Sequence, residues 1–146
     1  MKKKLILVVE DNPDHLELTV LTLEEHSVDA EIVVAQDGAG ALDFLFGTGA
    51  YSGRDTQKQP DLVLLDMRLP KLSGLDVLRS IRANPMTAMV PVVMLTSSSE
   101  VSDMTASYQN GANGFVRKPV DFEAFSEKLN SLQAFWLGVN ETVAPG

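Results

Sequence analysis

The sequence predicts an α/β domain: a five-stranded parallel sheet, doubly wound by helices on both faces. Three observations predict it. Short apolar runs at residues 5–9, 32–35, 62–65 and 92–95, with a weaker one at 114–116, end abruptly in acidic or polar residues. These runs are continuous rather than alternating, as strands buried on both faces require. Between them lie helix-length segments with apolar residues at 3.6-type spacing, and alternation of strand and helix implies parallel strands joined by crossovers.

The elements follow in order. After the first run, Asn12-Pro13 reads as an N-cap and a proline at the first helical position, with Leu16, Val20 and Leu23 as the inward stripe. A shorter helix spans 37–46 and is ended by Gly47 and Gly49. Residues 47–60 are polar and glycine-containing, and read as a long exposed loop before the third strand. The third helix runs from Ser73 to about Ala83, turning Val77, Leu78 and Ile81 inward, and Asn84-Pro85 stops it. Ser98 or Ser99 caps a fourth helix carrying Val101, Met104 and Tyr108, closed by Asn110-Gly111. The fifth starts near Asp121 and carries Phe122, Phe125, Leu129, Leu132 and Trp136 at 3-4-3-4 spacing. Phe135 and Leu137 flank Trp136 and cannot both share its face, so at least one of them is expected in solvent. The expected organisation is one domain over 1–138 and a flexible C-terminal tail over 139–146.

Composition narrows the function classes. A chain of 146 residues, 45% apolar and 22% charged, is of ordinary globular make-up. Folding at this size removes roughly 70% of the unfolded surface from water, enough for a self-sufficient core. The net charge of −8 argues against nucleic acid as a partner, because phosphate neutralisation needs clustered Lys and Arg. The absence of cysteine excludes disulfides, thiolate metal sites and thiol catalysis. Three lysines precede the run at 5–9 in the manner of an export signal, but that run stops after five residues at Glu10-Asp11. It is too short for a signal or a membrane span, so the expected location is the cytosol, with no membrane partner.

In an open parallel sheet, ligands bind beyond the carboxyl ends of the strands, where the strand order reverses. The residues just after each apolar run are Glu10 and Asp11, Asp66, Thr96 and Ser97, and Lys118-Pro119. Three carboxylates, a hydroxyl and an ammonium are thereby brought to one sheet edge from positions more than 100 residues apart. Clustered carboxylates repel, and a divalent cation relieves the repulsion; oxygen-only ligands select a hard ion such as Mg²⁺. A carboxylate beside such an ion can attack a phosphoryl group, while Lys118 and the ion offset the transferred charge and Thr96 hydrogen-bonds it. Singly, Asp11 or Asp66 reads equally as a helix cap and Lys118 as a solvated charge; the pattern lies in their convergence. His15 and His26 show no partner spacing and read as surface histidines.

These residues make the chain resemble the receiver domains of two-component response regulators over nearly its whole length. Glu10-Asp11 matches the family's acidic pair and Asp66 its phospho-acceptor, with Pro70 and Gly74 four and eight residues later. Thr96 follows Asp66 by 30 residues and Lys118 follows Thr96 by 22. The resemblance implies a flavodoxin-like (βα)5 fold with strand order 2-1-3-4-5. It implies Mg²⁺ held by Glu10, Asp11, Asp66 and the backbone carbonyl of Arg68, and a cis peptide between Lys118 and Pro119. It also implies a switch in which Thr96 moves toward the phosphoryl group and Phe115, the rotating aromatic, turns inward. That motion couples the site to the face made by the fourth helix, fifth strand and fifth helix. Asp11 to Asp66 spans 55 residues, longer than in compact members, and the excess fits the loop at 47–60. This loop and Phe135-Trp136-Leu137 resemble the single-domain regulators partnered with bacterial phytochrome kinases.

The expected function is a phosphorylation-dependent switch without an output domain, loaded on Asp66 by a sensor histidine kinase of phytochrome type. It signals by docking a partner, or passes the phosphate to a histidine phosphotransfer protein, and Phe135, Trp136 and Leu137 are expected to form a homodimer interface. Aspartyl-nucleophile phosphatases place a second carboxylate two residues after the nucleophile; here Arg68 stands there, so no turnover of external substrate is expected. A scaffold that is never phosphorylated is the third reading. A nucleotide-binding role finds neither G-x-G-x-x-G nor a P-loop, and a DNA-binding regulator would need an appended domain.

Overall fold

Strand and helix alternate along the whole of the computed structural model, which describes residues 4–26, 30–119 and 121–143. The elements are β1 (Lys4–Val9), α1 (Pro13–His26), β2 (Ala30–Ala35), α2 (Gly38–Phe46), β3 (Leu62–Leu65), α3 (Gly74–Ala83), β4 (Val92–Thr96), α4 (Val101–Gln109), β5 (Gly114–Arg117) and α5 (Phe122–Gln133). All strand pairs are parallel, and the sheet order is 2-1-3-4-5. The order reverses between β1 and β3, so the crevice opens beyond Val9 and Leu65.

Burial on both faces explains the unbroken apolar runs. On β1, Leu7 and Val9 pack with Phe44, Leu45, Val77 and Ile81 from α2 and α3. Ile6 and Val8 pack the other way, with Leu23 of α1 and Phe125 and Leu129 of α5. α1 also turns two buried threonines inward, and Thr22 Oγ1 lies 3.4 Å from Ser126 Oγ of α5. Ser73 starts α3 with a capping box, its hydroxyl accepting from Asp76 N at 3.2 Å. Asp37 caps α2, and Gly47 ends it in the left-handed conformation that a Cβ disfavours.

Three expectations are corrected. The stripe on α4 does not face the sheet: Val101 is 70% exposed, Met104 and Tyr108 also lie in solvent, and Ser107 is the buried contact. A stripe of three apolar residues marks one helix face but not which way it points; here the small Ser107 lets α4 sit close to Met67, its hydroxyl 3.8 Å from the sulfur. The α4 N-cap position falls to Glu100, while Ser98 supports the turn by accepting from Glu100 N at 3.3 Å and donating to Asp103. Phe122 is 61% exposed, because as the first residue of α5 it precedes the turn that meets the sheet. The segment 47–60 is the expected long loop, with most of its residues exposed, but it is locally ordered. It contains a 3₁₀ turn at Gly49–Tyr51; Tyr51 packs edge-on against Phe44 at 5.1 Å, and the Arg54 guanidinium sits 4.1 Å over the same ring. Arg54 also donates to the free carbonyls at the end of α2, those of Phe44 and Leu45.

Beyond α5 the chain widens into a π-turn over Ala134–Val139. Trp136 and Leu137 pack against the α1/α5 side of the core, and Phe135 is left 48% exposed, as the flanking argument expects. Residues 140–143 are irregular, and the last three residues of the expected tail lie outside the described residues. Among the described residues no helix is long and apolar enough to cross a membrane.

Candidate functional site

Sheet hydrogen bonds place the site's residues before any side chain is considered. Glu10 N donates to Ala35 O at 3.0 Å, which continues the β1–β2 ladder past Val9. Asp66 N donates to Val9 O at 3.1 Å, so the carboxylates of residues 10 and 66 emerge side by side at the reversal point. Lys118 N donates to Thr96 O at 2.7 Å and brings the lysine to the same edge from β5. Gly74 closes the approach from α3. A Cβ there would lie 2.2 Å from Asp66 O and 2.7 Å from Met67 Cα, so only glycine lets α3 begin against the acceptor strand's end.

The side chains converge around one ammonium. Lys118 Nζ donates to Asp66 Oδ2 at 3.1 Å and to Glu10 Oε1, and the lysine side chain is only 6% exposed. Asp66 Oδ1 accepts from Arg68 N at 3.1 Å. Asp11 lies at the exposed rim, and one carboxylate oxygen from each of Glu10, Asp11 and Asp66 falls within 4.8 Å of the others. Burial and the neighbouring Asp66 push the Glu10 carboxyl from its ordinary 4.5 up to about 7, against the opposing pull of Lys118. Two carboxylates share the buried ammonium and Asp11 adds a third beside them, so negative charge is in excess. The all-oxygen donor set fits a hard divalent cation, with Glu10, Asp11 and Asp66 as the residues that would hold it. Thr96 is fully buried at the end of β4, its Oγ1 accepting from Ser98 N at 3.1 Å. Phe115 on β5 is half-buried against the α2/α3 side of the core. Arg68 is exposed.

Two readings change here. The Lys118–Pro119 peptide is trans, since no cis bond occurs among the described residues. The backbone bond from Lys118 to Thr96 and the ammonium's grip on the carboxylates already hold the lysine at the edge, and trans is the intrinsically favoured isomer. His15 is not a plain surface histidine. Its Nδ1 is 3.2 Å from Lys118 Nζ and 3.7 Å from Glu10 Oε1. The available signal was its place in the first turn of the helix that follows β1, which must open at the same sheet edge. The side chain of His26 lies outside the described residues.

Comparison with known proteins agrees with this geometry. The family described as the response regulator receiver domain matches residues 6–130. The chain belongs to the response regulator receiver family. Among individual receivers, it is 34% identical to the response regulator Rcp1 of Synechocystis sp. over 92% of this chain and 89% of that one. The crystal structure of the Mn²⁺-bound form of Rcp1 has a TM-score of 0.89 at 33% identity, covering 97% of this chain and 99% of that one. The phosphorylated cyanobacterial phytochrome response regulator RcpA has a TM-score of 0.91 at 31% identity, with the same coverage. The bacteriophytochrome response regulator AtBRR is 46% identical over 97% of this chain and all of its own, with a TM-score of 0.76. These likenesses bear out the doubly wound receiver fold and the resemblance to phytochrome-linked regulators.

Proposed function

We propose that this receiver accepts a phosphoryl group on Asp66 from the phosphohistidine of a sensor kinase, with Mg²⁺ held by Glu10, Asp11, Asp66 and the carbonyl of Arg68. The observation that carries the reading is the 3.1 Å pairing of the Lys118 ammonium with the Asp66 carboxylate, beside two further carboxylates. An Asp66 oxygen forms the new P–O bond as the P–N bond to the donor's imidazole breaks; the electron pair leaves with the imidazole, which takes up a proton. When bound, the cation supplies positive charge that offsets the carboxylates and the transferred oxygens. Lys118 supplies the protein's own share of that charge. Thr96, at the end of the strand next to β3, is placed to donate its hydroxyl proton to a phosphoryl oxygen once it turns from Ser98.

The protein is a switch rather than an enzyme acting on external substrates. Arg68, two residues beyond Asp66, supplies no carboxylate for acid–base turnover of phosphoesters. A phytochrome-type kinase is the proposed donor, on the strength of the likeness to RcpA and AtBRR, and a histidine phosphotransfer protein is a further acceptor of the same chemistry. The place of action is the cytosol, where the kinase draws its ATP. Output runs through the face of α4, β5 and α5, where Met104, Phe115, Leu132, Phe135 and Trp136 line an open groove of about 820 Å³. A second copy of this chain is the proposed occupant, because exposed Phe135 at the groove's margin can enter a two-fold mate's groove reciprocally.

The experiment is transfer from an autophosphorylated phytochrome-type kinase to wild-type protein and to Asp66→Asn. Label should pass to the wild type and fall by at least about 10²-fold in the variant, because an amide is a far weaker nucleophile. Equal transfer to both would place the acceptor elsewhere.

A further inference from the structure

Lys118 has three ammonium protons and three acceptors facing them: Glu10 Oε1, Asp66 Oδ2 at 3.1 Å and His15 Nδ1 at 3.2 Å. Because an ammonium only donates, Nδ1 must accept, which places the imidazole proton on Nε2. The two carboxylates belong to the set that would hold a cation, whereas His15 does not. His15 is therefore the acceptor whose hold on Lys118 is independent of the cation.

The histidine is well anchored for this task. Its backbone N donates to Asn12 Oδ1 at 3.1 Å, the N-cap of α1, and its carbonyl accepts from Thr19 Oγ1 at 2.7 Å. Its side chain is 45% exposed, so the core does not depend on it.

We propose that His15 is a positioning residue: its Nδ1 fixes the Lys118 ammonium beside Asp66, so that the charge offsetting the incoming phosphoryl group is already in place. Lysine carries a flexible four-carbon stem, and holding its head in one position removes rotamer freedom before the reaction rather than during it. The proposal rests on Asp66 being the phospho-acceptor.

The test compares the rate of aspartyl phosphate formation from a small acyl phosphate, at saturating Mg²⁺, in wild type, His15→Leu, His15→Asn, Lys118→Ala and His15→Leu/Lys118→Ala. His15→Leu should slow the reaction about fivefold, the worth of one ordinary hydrogen bond. His15→Asn, whose side-chain oxygen can stand where Nδ1 stood, should restore most of the rate. In the Lys118→Ala background the leucine substitution should add nothing, because the effect acts through the lysine. A readout without metal accompanies these rates. In EDTA the imidazole ¹⁵N shifts of His15 should show an unprotonated Nδ1 in wild type, and in Lys118→Ala a mixture of tautomers. Equal rates for wild type and His15→Leu, slowing that persists in Lys118→Ala, failure of the asparagine to rescue, or a protonated Nδ1 would each overturn the role of His15. No labelling of the wild type would instead overturn the acceptor reading, and the ¹⁵N shifts would still report whether His15 accepts from Lys118.

Discussion

Glu10 sits at the crowded end of the charge cluster. Its carboxyl is pushed up to about 7 because burial and Asp66 both oppose its ionisation more than Lys118 favours it. In the unfolded chain the same group titrates near 4.5. Between these values the native state binds more protons than the unfolded state, so this residue's contribution makes stability fall as pH rises through that window. In EDTA the melting temperature of wild type should therefore drop between pH 4.5 and 7 relative to Glu10→Gln, whose side chain does not titrate. Parallel curves for the two proteins would mean that Lys118 fully compensates the buried charge. Much of this residue-scale chemistry was legible beforehand. Glu10, Asp11, Asp66, Thr96 and Lys118 each follow an apolar run, and the ends of parallel strands share one edge. His15 reads in the sequence as a surface histidine because its contact to Lys118 depends on a helix's first turn, which no apolar run marks. The cis peptide expected at Pro119 from the resemblance fails for a different reason: the energetic difference between isomers is small, and a dipeptide does not encode which one its surroundings select.

Among the elements, α5 and α4 show where periodicity informs and where it misleads. Phe125 and Leu129 recur at helical spacing and are both buried, so the core-facing stripe of α5 follows directly from the sequence. On α4 the apolar spacing is as regular but lies in solvent, since the helix meets the sheet through Ser107. A pattern identifies a face; only packing decides whether that face covers the sheet or waits for a partner. α5 also carries a buried defect. Gln133 is 5% exposed, and neither its amide nitrogen nor its amide oxygen has a hydrogen-bond partner among the described residues. An unpaired buried amide costs desolvation free energy that an apolar group of similar shape avoids. Gln133→Leu should therefore stabilise the protein by about 1 kcal/mol, seen as a higher melting temperature or denaturant midpoint. A drop in stability would show that the amide is paired in solution.

At the scale of the molecule, a two-sided core supports a reactive edge at one end of the sheet and an apolar groove along its β5 side. Parallel strands, crossovers and a shared reactive edge follow from the alternation of elements, whereas the strand order 2-1-3-4-5 comes from the family resemblance. The ordered segment around Arg54 was not legible, because its polar and glycine residues look alike whether or not a guanidinium caps a helix end. The groove makes a prediction about assembly. Wild-type protein should sediment as a dimer at high micromolar concentration, and Phe135→Ala should weaken that dimer by about 2 kcal/mol, as loss of an aromatic anchor does. Leu137 is the wrong residue for this test, because it packs against the core. A wild type that stays monomeric with and without beryllofluoride excludes the dimer. The phosphoryl acceptor is the claim on which the rest depends, and chemical mapping tests it most directly. The protein is incubated with Mg²⁺ and a small acyl phosphate, the product is reduced with borohydride to mark the acyl phosphate, and the peptides are sequenced by mass spectrometry. The mark should fall on Asp66 alone, and should vanish when hydroxylamine precedes reduction or when Mg²⁺ is withheld. A mark on any other carboxylate, or none on the folded wild type, would contradict the assignment.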